Sequence, residues 1–278
     1  MKKTLYVSDL DGTLFNKKKR ISDRTAQILN QCIEKGAMFS VATARMPYGC
    51  DYRLKNIQMN IPGILTNGVF LYDFSRKEYV MVQPMEKRRV SDILKIFQRF
   101  GKSCFLYTYR DSLISIYYEK EGQKAQTQYY SDQALKSCRE IKKVNSCADI
   151  LEEEIPVYLA VTDTNENLKP MVNELREIPG IQMAYYLNIY NGLYCLEIFS
   201  ENASKKQALL QLKKMTDCDE VVVFGDNLND LPMIEIADRS YAPANALEEI
   251  KEQVNQVLCD CDHDGVAEFM KKEILESE

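Results

Sequence analysis

The chain has 278 residues, of which 45% are hydrophobic and 28% charged, and its formal net charge at pH 7 is -5. This length can bury a sizeable core and suits one large domain or two medium ones. The acidic balance argues against a general attraction to nucleic acid or to an anionic membrane surface, so a phosphate-bearing substrate would need a local cation.

Cysteine and histidine usage argues against a zinc site. The nine cysteines are scattered without a C-x-x-C pair, and His263 is the single histidine. We therefore expect reduced, mostly buried thiols in a reducing compartment. Asp9 and Asp11 interrupt the N-terminal apolar stretch too early for a signal peptide, and no apolar run approaches the ~20 residues of a membrane span. These features predict a cytoplasmic protein.

The first predicted element is a strand that ends in two aspartates. The apolar, β-branched run Thr4–Ser8 predicts a short strand, Asp9 and Asp11 follow it, and Gly12 marks a turn. Ligands of open α/β sheets bind at this carboxyl end of the strands. Two carboxylates this close repel each other unless a cation or hydrogen bonds hold them, and hard oxygen ligands suit Mg²⁺. Taken alone, the run also fits a polar turn that caps a buried strand.

Strands and helices continue to alternate as far as residue 68. Ser22 can cap a helix that runs to about Lys35. Apolar strands are predicted at residues 38–42 and 64–66, and Asn67-Gly68 closes the second of them. This alternation is typical of a doubly wound parallel sheet, so the sequence predicts an α/β fold.

The pattern changes after residue 68. A hairpin is predicted at residues 69–82 with its turn at 73–76, and Pro84 follows it. Beyond Pro84, a mixture of strand-like runs and helical patterns predicts an α+β domain. The helical patterns cover residues 90–100 and 168–178, and the strand-like runs cover residues 104–109, 112–118, 157–162 and 193–199.

This middle part of the chain is rich in tyrosine. Eleven of the 17 tyrosines lie between residues 84 and 198, among them Tyr129 and Tyr190. Tyrosine is favoured in β-sheets because it packs well there. It also forms aromatic surfaces that can recognise the organic part of a substrate. Both interpretations stay open.

The α/β pattern returns at Ser204. A helix is predicted from Ser204 to about Met215, and a continuous β-branched strand covers Glu220–Phe224. The polar run Gly225–Asp230 follows this strand at its carboxyl end. Two further helices are predicted at residues 246–257 and 266–274. The simplest architecture is one core domain built from both ends of the chain.

The predicted domain limits follow from this return of the pattern. We predict a core domain of residues 1–83 and 199–278, with an α+β domain of residues 84–198 inserted into it. Polar residues follow or open four predicted elements of the core. They are Asp9 and Asp11, Thr43 and Arg45, Lys205, and Asp226 with Asn229 and Asp230. Together they offer carboxylates for a metal ion, a hydroxyl and an ammonium group for an anion, and a second carboxylate for proton transfer.

This set resembles the haloacid dehalogenase (HAD) superfamily of phosphohydrolases. The matching residues, in the family's order, are Asp9–Leu14, Thr43, Lys205 and Gly225–Asp230. The position of the insert is similar to that of the type IIB cap in the Cof-type branch. Three short segments also resemble that branch: Asn67-Gly68, Pro243–Ala246 and Asp264–Ala267. The resemblance implies a Rossmann-like core with an α+β cap, in a Mg²⁺-dependent phosphatase that acts on a small phosphorylated metabolite and needs neither nucleic acid nor membrane.

The resemblance implies roles for the two N-terminal aspartates. Asp9 would attack phosphorus and form an aspartyl-phosphate, which divides one hard hydrolysis into two easier steps. A carboxylate is already ionised at neutral pH, so it needs no base to activate it. Asp11 would protonate the leaving alkoxide and then activate the attacking water. Related ion pumps lack this second carboxylate and preserve their phospho-enzyme, so Asp11 favours turnover by hydrolysis.

The resemblance also implies the ligands of the metal and of the phosphoryl group. The metal would be held by the side chains of Asp9 and Asp226 and by the backbone carbonyl of Asp11. Asn229 and Asp230 would support the metal's waters or orient the lysine. The residues predicted to bind phosphate or substrate are Thr43, Ala44, Lys205, Leu10, Asn67 and Arg45. The cap would close over the substrate, exclude water and select the leaving group.

Several assignments stay open. Lys205 could be a solvated surface lysine, and Asn67 could be only a turn residue. Arg45 could reach the substrate or form a surface ion pair. We expect Asn245 to hold the loop beside the metal, and His263 to be structural or to lie on the surface. The substrate would be a sugar phosphate or a phosphorylated cofactor, and the alternative functions are a phosphomutase and a non-catalytic module that senses a metabolite.

Overall fold

The computed structural model describes residues 2–121, 123, 140–188 and 191–276 of the chain. The chain divides into two compact units, Met1–Met81 with Ser204–Glu278, and Val82–Ala203. The sequence prediction places the two limits after residues 83 and 198, which is two residues later and five residues earlier than the limits of these units. The assignment of a core domain and a cap domain stays a prediction.

The strands are numbered in chain order as β1 (Thr4–Ser8), β2 (Met38–Val41), β3 (Gly63–Leu65), β4 (Phe70–Asp73), β5 (Glu78–Val82), β6 (Phe105–Arg110), β7 (Leu113–Tyr118), β8 (Glu140–Lys143), β9 (Ile155–Asp163), β10 (Ile181–Asn188), β11 (Leu193–Ser200), β12 (Glu220–Phe224), β13 (Arg239–Pro243) and β14 (Gln256–Leu258). The helices are α1 (Asp23–Glu34), α2 (Pro47–Leu54), α3 (Lys87–Arg99), α4 (Cys147–Ile150), α5 (Asn165–Leu175), α6 (Lys205–Thr216), α7 (Leu231–Ile234), α8 (Glu248–Lys251) and α9 (Gly265–Met270). In the described part of the chain, no helix combines the length and the apolar character that crossing a membrane requires.

The first unit is built on a parallel sheet in the order β14-β13-β12-β1-β2. This arrangement confirms the predicted doubly wound α/β fold. Strand β1 lies between β12 and β2, and its last residue, Ser8, pairs with Phe224 on one side and with Val41 on the other. The residues that follow these three strands therefore emerge at the same level of the same sheet edge, where α/β sheets bind ligands.

Buried apolar side chains fix β1 in the centre of this unit. Leu5 and Val7 are fully buried and belong to one core cluster with Leu209 and Leu212 of α6. Burying an aliphatic side chain of this size contributes about 1.5–3 kcal/mol. Because α6 packs on the sheet through these residues, its first residue, Lys205, is held at a fixed place in the unit.

Strand β3 differs from the prediction. The sequence predicts a third strand of the parallel sheet at residues 64–66, but β3 belongs to a separate three-stranded sheet in the order β3-β4-β5. It pairs antiparallel with β4 and meets the segment after β2 through an isolated parallel bridge between Ala42 and Ile64. The hairpin of β4 and β5, predicted at residues 69–82, is confirmed.

The predicted helix over residues 246–257 is wrong in its second half. Helix α8 ends at Lys251, and β14 begins at Gln256 and pairs in parallel with β13. Hydrogen bonding to the sheet edge outweighs the helical spacing of the apolar residues here, because tertiary contacts override local propensity. Strands β8, β10 and β13 have no counterpart in the sequence prediction.

The second unit is built on a six-stranded sheet in the order β10-β11-β9-β6-β7-β8. Its described strand pairs are antiparallel, except that β7 and β8 run parallel. Ile93 of α3 and Leu168 of α5 share one buried cluster with Leu106, Leu159 and Leu196 of the sheet. The predicted α+β character of this part of the chain is confirmed.

Tyr107 and Tyr158 in this unit follow the packing interpretation of the tyrosines. Their rings meet edge to face with centroids 5.1 Å apart, and both residues are buried. Such a pair contributes about 0.5–1.5 kcal/mol beyond the burial of its area. Tyr129 and Tyr190 lie outside the described residues.

Candidate active site

Asp9 is the first residue after β1 and lies in a cluster of charged side chains. Its backbone N–H donates a hydrogen bond to the carbonyl oxygen of Phe224 at 2.9 Å, which fixes it between β1 and β12. Asp9 is 6% exposed. Burial raises the pKa of Asp9 well above its usual range, and the charge of Lys205 works in the opposite direction. Positive charge beside Asp9 is therefore needed to keep it ionised at neutral pH.

Lys205 supplies such a charge. It is the first residue of α6, whose N-cap Ser204 accepts a hydrogen bond from the backbone N–H of Gln207, and it is 2% exposed. Its Nζ donates to Oδ1 of Asp9 at 2.6 Å and to Oδ1 of Asp230 at 2.5 Å. Burial lowers the pKa of Lys205, but the two carboxylates outweigh burial and raise it. Lys205 is thus a buried, permanently charged ammonium group and not a surface lysine.

Asp230 holds Lys205 and the loop after β12 at the same time. Its Oδ1 accepts from Lys205, while Oδ2 accepts from the backbone N–H groups of Asp226 at 2.9 Å and of Asn227 at 3.1 Å. The residue is completely buried. Since both carboxylate oxygens have partners, Asp230 orients the lysine and rigidifies the loop that carries Asp226.

Asp226 follows β12 and faces the turn after β1. Its Oδ1 accepts a hydrogen bond from Oγ1 of Thr13 at 2.8 Å. Burial raises the pKa of Asp226 to about 6, although the bond from Thr13 lowers it. Gly12 has a φ of +89°, and a Cβ at this position would lie 2.4 Å from Oδ2 of Asp226. A glycine is therefore required for the carboxylate to approach the turn so closely.

Three carboxylates converge here in a way that fits a divalent cation. One oxygen each of Asp9, Asp226 and Asp230 lies within 4.8 Å of the others. Burial is the main cause of the raised pKa values of Asp9 and Asp226, and repulsion from the neighbouring carboxylates raises both pKa values further. Since Asp230 already has partners for both oxygens, Asp9 and Asp226 are the side chains that this donor set offers to a hard cation.

Asp11 is paired with Arg45. Nε of Arg45 lies 2.5 Å from Oδ2 of Asp11, and a terminal guanidinium nitrogen lies 2.6 Å from Oδ1. The side chain of Asp11 is 40% exposed and that of Arg45 is 21% exposed. This is a two-pronged pair in which the planar guanidinium matches the carboxylate. Of the two possibilities that the sequence leaves open for Arg45, the ion pair is the one present in this structure.

Thr43 lies two residues after the end of β2 and is almost fully buried. Its Oγ1 accepts a hydrogen bond from the backbone N–H of Arg45 at 3.2 Å, so the hydroxyl's own proton is left to donate elsewhere. The carbonyl oxygen of Thr43 accepts from the backbone N–H of Asn67 at 3.0 Å. Asn67 has a left-handed backbone with φ of 51°. The turn after β3 thus braces the residue predicted to bind the anion.

The remaining predicted residues fall into two groups. Leu10 has a buried side chain and Ala44 offers only a methyl group, so both can contact a ligand through their backbone alone. Asn229 is exposed, and its Nδ2 donates to Oδ1 of Asn67 at 3.4 Å. Of the two residues predicted to orient Lys205, Asp230 does so directly, whereas Asn229 lies beside Asn67.

Two further residues shape the site and were not predicted as site residues. Thr13 donates the hydrogen bond that holds Asp226. Gly68 has a φ of +98°, and a Cβ on it would lie 2.3 Å from the backbone oxygen of Ser204. Thr13 lies in the run Asp9–Leu14 and Gly68 in the pair Asn67-Gly68, but contacts between such distant segments leave no signal in a single sequence.

Asn245 and His263 are placed as expected from the sequence. Nδ2 of Asn245 donates to the carbonyl oxygen of Gly12 at 2.7 Å, and its Oδ1 accepts from the backbone N–H of Cys261 at 2.9 Å. Asn245 therefore ties the turn after β1 to the segment before α9. His263 has a side chain that is 76% exposed, and its Nδ1 shares a hydrogen bond with Asp260 at 2.6 Å.

Comparison with known proteins agrees with this geometry. The model of the haloacid dehalogenase-like hydrolases matches residues 6–270 of the chain. The chain is 23% identical over 283 residues to 5-amino-6-(5-phospho-D-ribitylamino)uracil phosphatase YwtE of Bacillus subtilis, covering 94% of the chain and 95% of the relative. It is also 23% identical over 284 residues to pyridoxal phosphate phosphatase YbhA of Escherichia coli, covering 96% of the chain and 97% of the relative.

A solved structure extends the comparison to three dimensions. A haloacid dehalogenase-like hydrolase from Bacteroides thetaiotaomicron superposes with a TM-score of 0.79 at 25% identity, covering 98% of this chain and all of the other. The family match spans nearly the whole chain, and it includes all the residues that meet around Asp9. The chain therefore belongs to the haloacid dehalogenase-like hydrolases, and within them to the phosphoric monoester hydrolases.

Proposed function

We propose that this enzyme hydrolyses the phosphomonoester of a small metabolite through an aspartyl-phosphate on Asp9, with Mg²⁺ as its cofactor. The observation that carries the proposal is the buried pairing of Lys205 with both Asp9 and Asp230. A buried ammonium group between two carboxylates is costly to assemble, and it suits a site where anionic oxygens react. The phosphorylated cofactor and the ribityl phosphate named for two relatives suggest a substrate of the same class.

The nucleophile is Asp9. Its carboxylate oxygen attacks phosphorus, the bond to the leaving oxygen breaks, and an acyl phosphate forms on Asp9. Lys205 favours the ionised form of this buried carboxylate and offsets its repulsion from the phosphate dianion. Asp230 holds Lys205 in place, so the ammonium group needs no rearrangement when charge shifts during the reaction.

Asp9, Asp226 and the backbone carbonyl of Asp11 would hold the cation. A bound Mg²⁺ supplies a Lewis acid that neutralises the phosphoryl oxygens and a template that aligns them with the nucleophile. Thr13 orients Asp226 for this role through the bond to its Oδ1. Asp230 keeps the backbone of the Asp226 loop in position.

Asp11 acts as the general acid and general base. It gives a proton to the oxygen that leaves phosphorus in the first step and takes one from the attacking water in the second. Its side chain is more exposed than that of Asp9, as suits a group that must meet both the leaving group and water.

The phosphoryl oxygens would be bound by the hydroxyl of Thr43, the backbone N–H groups of Leu10 and Ala44, and the first turn of α6. Asn67 would contact the substrate beside Thr43.

The proposal is tested with Asp9→Asn, which keeps the shape of the side chain and removes the nucleophile. We expect hydrolysis of p-nitrophenyl phosphate, and of a panel including pyridoxal phosphate and sugar phosphates, to fall by at least ~10³-fold. The matched control is Asp23→Asn, an exposed aspartate at the start of α1, which should leave the rates unchanged. Circular dichroism and the melting temperature check folding. Undiminished hydrolysis by Asp9→Asn would refute the mechanism.

A further inference from the structure

Arg45 is unusually constrained for a residue of a surface ion pair. Its backbone N–H donates to Oγ1 of Thr43 at 3.2 Å, and its carbonyl oxygen accepts from the backbone N–H of Thr66 at 3.0 Å. Its guanidinium carbon lies 5.7 Å from the ring centroid of Phe15, which is fully buried. The backbone of Arg45 is therefore held independently of Asp11, and its guanidinium also lies over an aromatic ring.

The guanidinium of Arg45 binds the carboxylate of Asp11 through two nitrogens. Nε and one terminal nitrogen each bind a different oxygen of Asp11, at 2.5 Å and 2.6 Å. Each carboxylate oxygen has two acceptor positions, and the guanidinium occupies one on each. The pair therefore fixes the orientation of the carboxylate while it leaves a free acceptor position on each oxygen.

We infer that Arg45 is a positioning residue for Asp11 and acts on the reaction through that carboxylate, not through contact with the phosphoryl group. This inference rests on the proposed function, in which Asp11 transfers protons. In the first step the bond between phosphorus and the leaving oxygen breaks, a bond from Asp9 forms, and the proton of Asp11 passes to the leaving oxygen. In the second step a water oxygen bonds to phosphorus, the bond to Asp9 breaks, and the water's proton passes to Asp11.

A residue that positions Asp11 and a residue that binds the phosphate predict different changes in kcat and KM. A group that positions the proton donor affects the steps in which the proton moves, so its loss lowers kcat and leaves KM nearly unchanged. A group that contacts the phosphate also contributes to substrate binding, so its loss raises KM. Lysine keeps the charge of Arg45 but cannot form the two-pronged contact. Arg45→Lys should therefore recover only part of the activity.

The decisive experiment is a double-mutant cycle of Arg45→Met and Asp11→Asn. Phosphate release is measured under turnover with the best aliphatic phosphomonoester of the panel, because an alkoxide needs a proton to leave, and kcat and KM are determined. We expect Arg45→Met to lower kcat by about 10–100-fold with KM within about threefold. In the Asp11→Asn background the same change should alter the rate by less than about twofold, because the residue that it acts through is gone.

The control is Arg24→Met, which removes a surface ion pair with a single carboxylate oxygen of Glu268, at 2.6 and 2.7 Å, and should leave kcat unchanged. Arg45→Lys preserves packing and keeps the cycle measurable if Arg45→Met does not fold, as judged by its melting temperature. Effects that multiply in the double variant, or a raised KM at unchanged kcat, would overturn the inference while the proposed function stands. A wild-type enzyme without phosphatase activity would overturn the proposed function itself.

Discussion

Nζ of Lys205 lies 2.6 Å from Oδ1 of Asp9, although 196 positions of sequence separate the two residues. The contact exists because Asp9 directly follows β1, the strand beside β12, and Lys205 begins the helix that packs on the same sheet through Leu209 and Leu212. The fold thus brings a nucleophile candidate and a cation together without any local sequence relationship. Its disruption should affect stability and activity together.

Lys205→Met should abolish phosphatase activity and destabilise the protein. Asp9 and Asp230 would remain as buried carboxylates without their cation, which costs about 3–5 kcal/mol in the free energy of unfolding. The loss should shrink in mildly acidic buffer, where Asp9, whose pKa burial raises, can take up a proton. Urea unfolding at the two pH values measures it. Lys206→Met is the matched control: this neighbouring lysine forms a surface pair with Glu235 at 3.5 Å, so its removal should cost less than about 1 kcal/mol.

Gly68→Ala should disturb the start of α6. Both Gly68 and Gly36 have a φ of +98°, so alanine introduces the same backbone strain at either position. At Gly68 the new Cβ would also lie 2.3 Å from the backbone oxygen of Ser204, whereas at Gly36 no atom lies within 4 Å. We expect Gly36→Ala to cost about 1 kcal/mol, and Gly68→Ala to cost more and to lower kcat as well. Equal effects of the two changes on stability and activity would contradict this account.

The site contains residues that the sequence can identify and residues, such as Gly68, that it cannot. Asp9 and Asp226 could be predicted because each follows a recognisable buried strand, and parallel strands end at the same sheet edge. Thr13 and Gly68 act through contacts with Asp226 and Ser204, which lie far along the chain. Such contacts depend on three-dimensional packing, so no local pattern announces them.

The same limit applies to the fold. The strands β1, β2 and β12 can be predicted because they are short and apolar, and because β1 and β12 are also rich in β-branched residues. The sequence predicts helix for the residues of β14. They form a strand because they pair with β13, and this pairing cannot be read from their own composition. The pairing of Arg45 with Asp11 is also a tertiary contact, and from the sequence it was one of two open possibilities.

A second ion-pair cluster should make the stability of the first unit depend on pH. Glu273 accepts a hydrogen bond from the hydroxyl of Tyr6 at 2.8 Å and binds two guanidinium nitrogens of Arg239 at 2.6 and 2.8 Å. Burial raises the pKa of Glu273, but the bonds from Arg239 and Tyr6 outweigh burial and lower it. Its stabilising contribution is therefore present above the unfolded-state pKa and is lost as pH falls through the lower folded-state value.

Glu273→Gln tests this cluster. The variant should be about 1–2 kcal/mol less stable than the wild type near neutral pH, because the charged partner of Arg239 is lost. The difference should narrow in acid, where the wild-type carboxyl is protonated too. Urea unfolding across the acid range measures it. The control is Glu248→Gln, which removes an exposed pair with Lys251 and should cost little at any pH. A pH-independent difference for Glu273→Gln would contradict the prediction.

Cation binding should compete with protons at Asp226. Burial raises the pKa of Asp226 to about 6 in the protein without metal, so this carboxyl binds a proton in mildly acidic solution. A cation must displace that proton, and its apparent affinity should therefore fall as pH falls below 6, by up to about tenfold per pH unit for each proton displaced. The measurement is the rise in melting temperature on adding Mg²⁺, which should be larger near neutral pH than in mild acid.

Asp226→Asn identifies the source of this effect. The variant keeps an oxygen that can accept from Thr13 but lacks the negative charge, so Mg²⁺ should raise its melting temperature little at either pH. Asp238→Asn is the control. Asp238 directly precedes β13 and accepts a hydrogen bond from the backbone N–H of Val221, away from the three converging carboxylates. A wild-type response to Mg²⁺ that is the same at both pH values would show that the cation binds elsewhere, since only a group that titrates in this range can make binding weaken with acid.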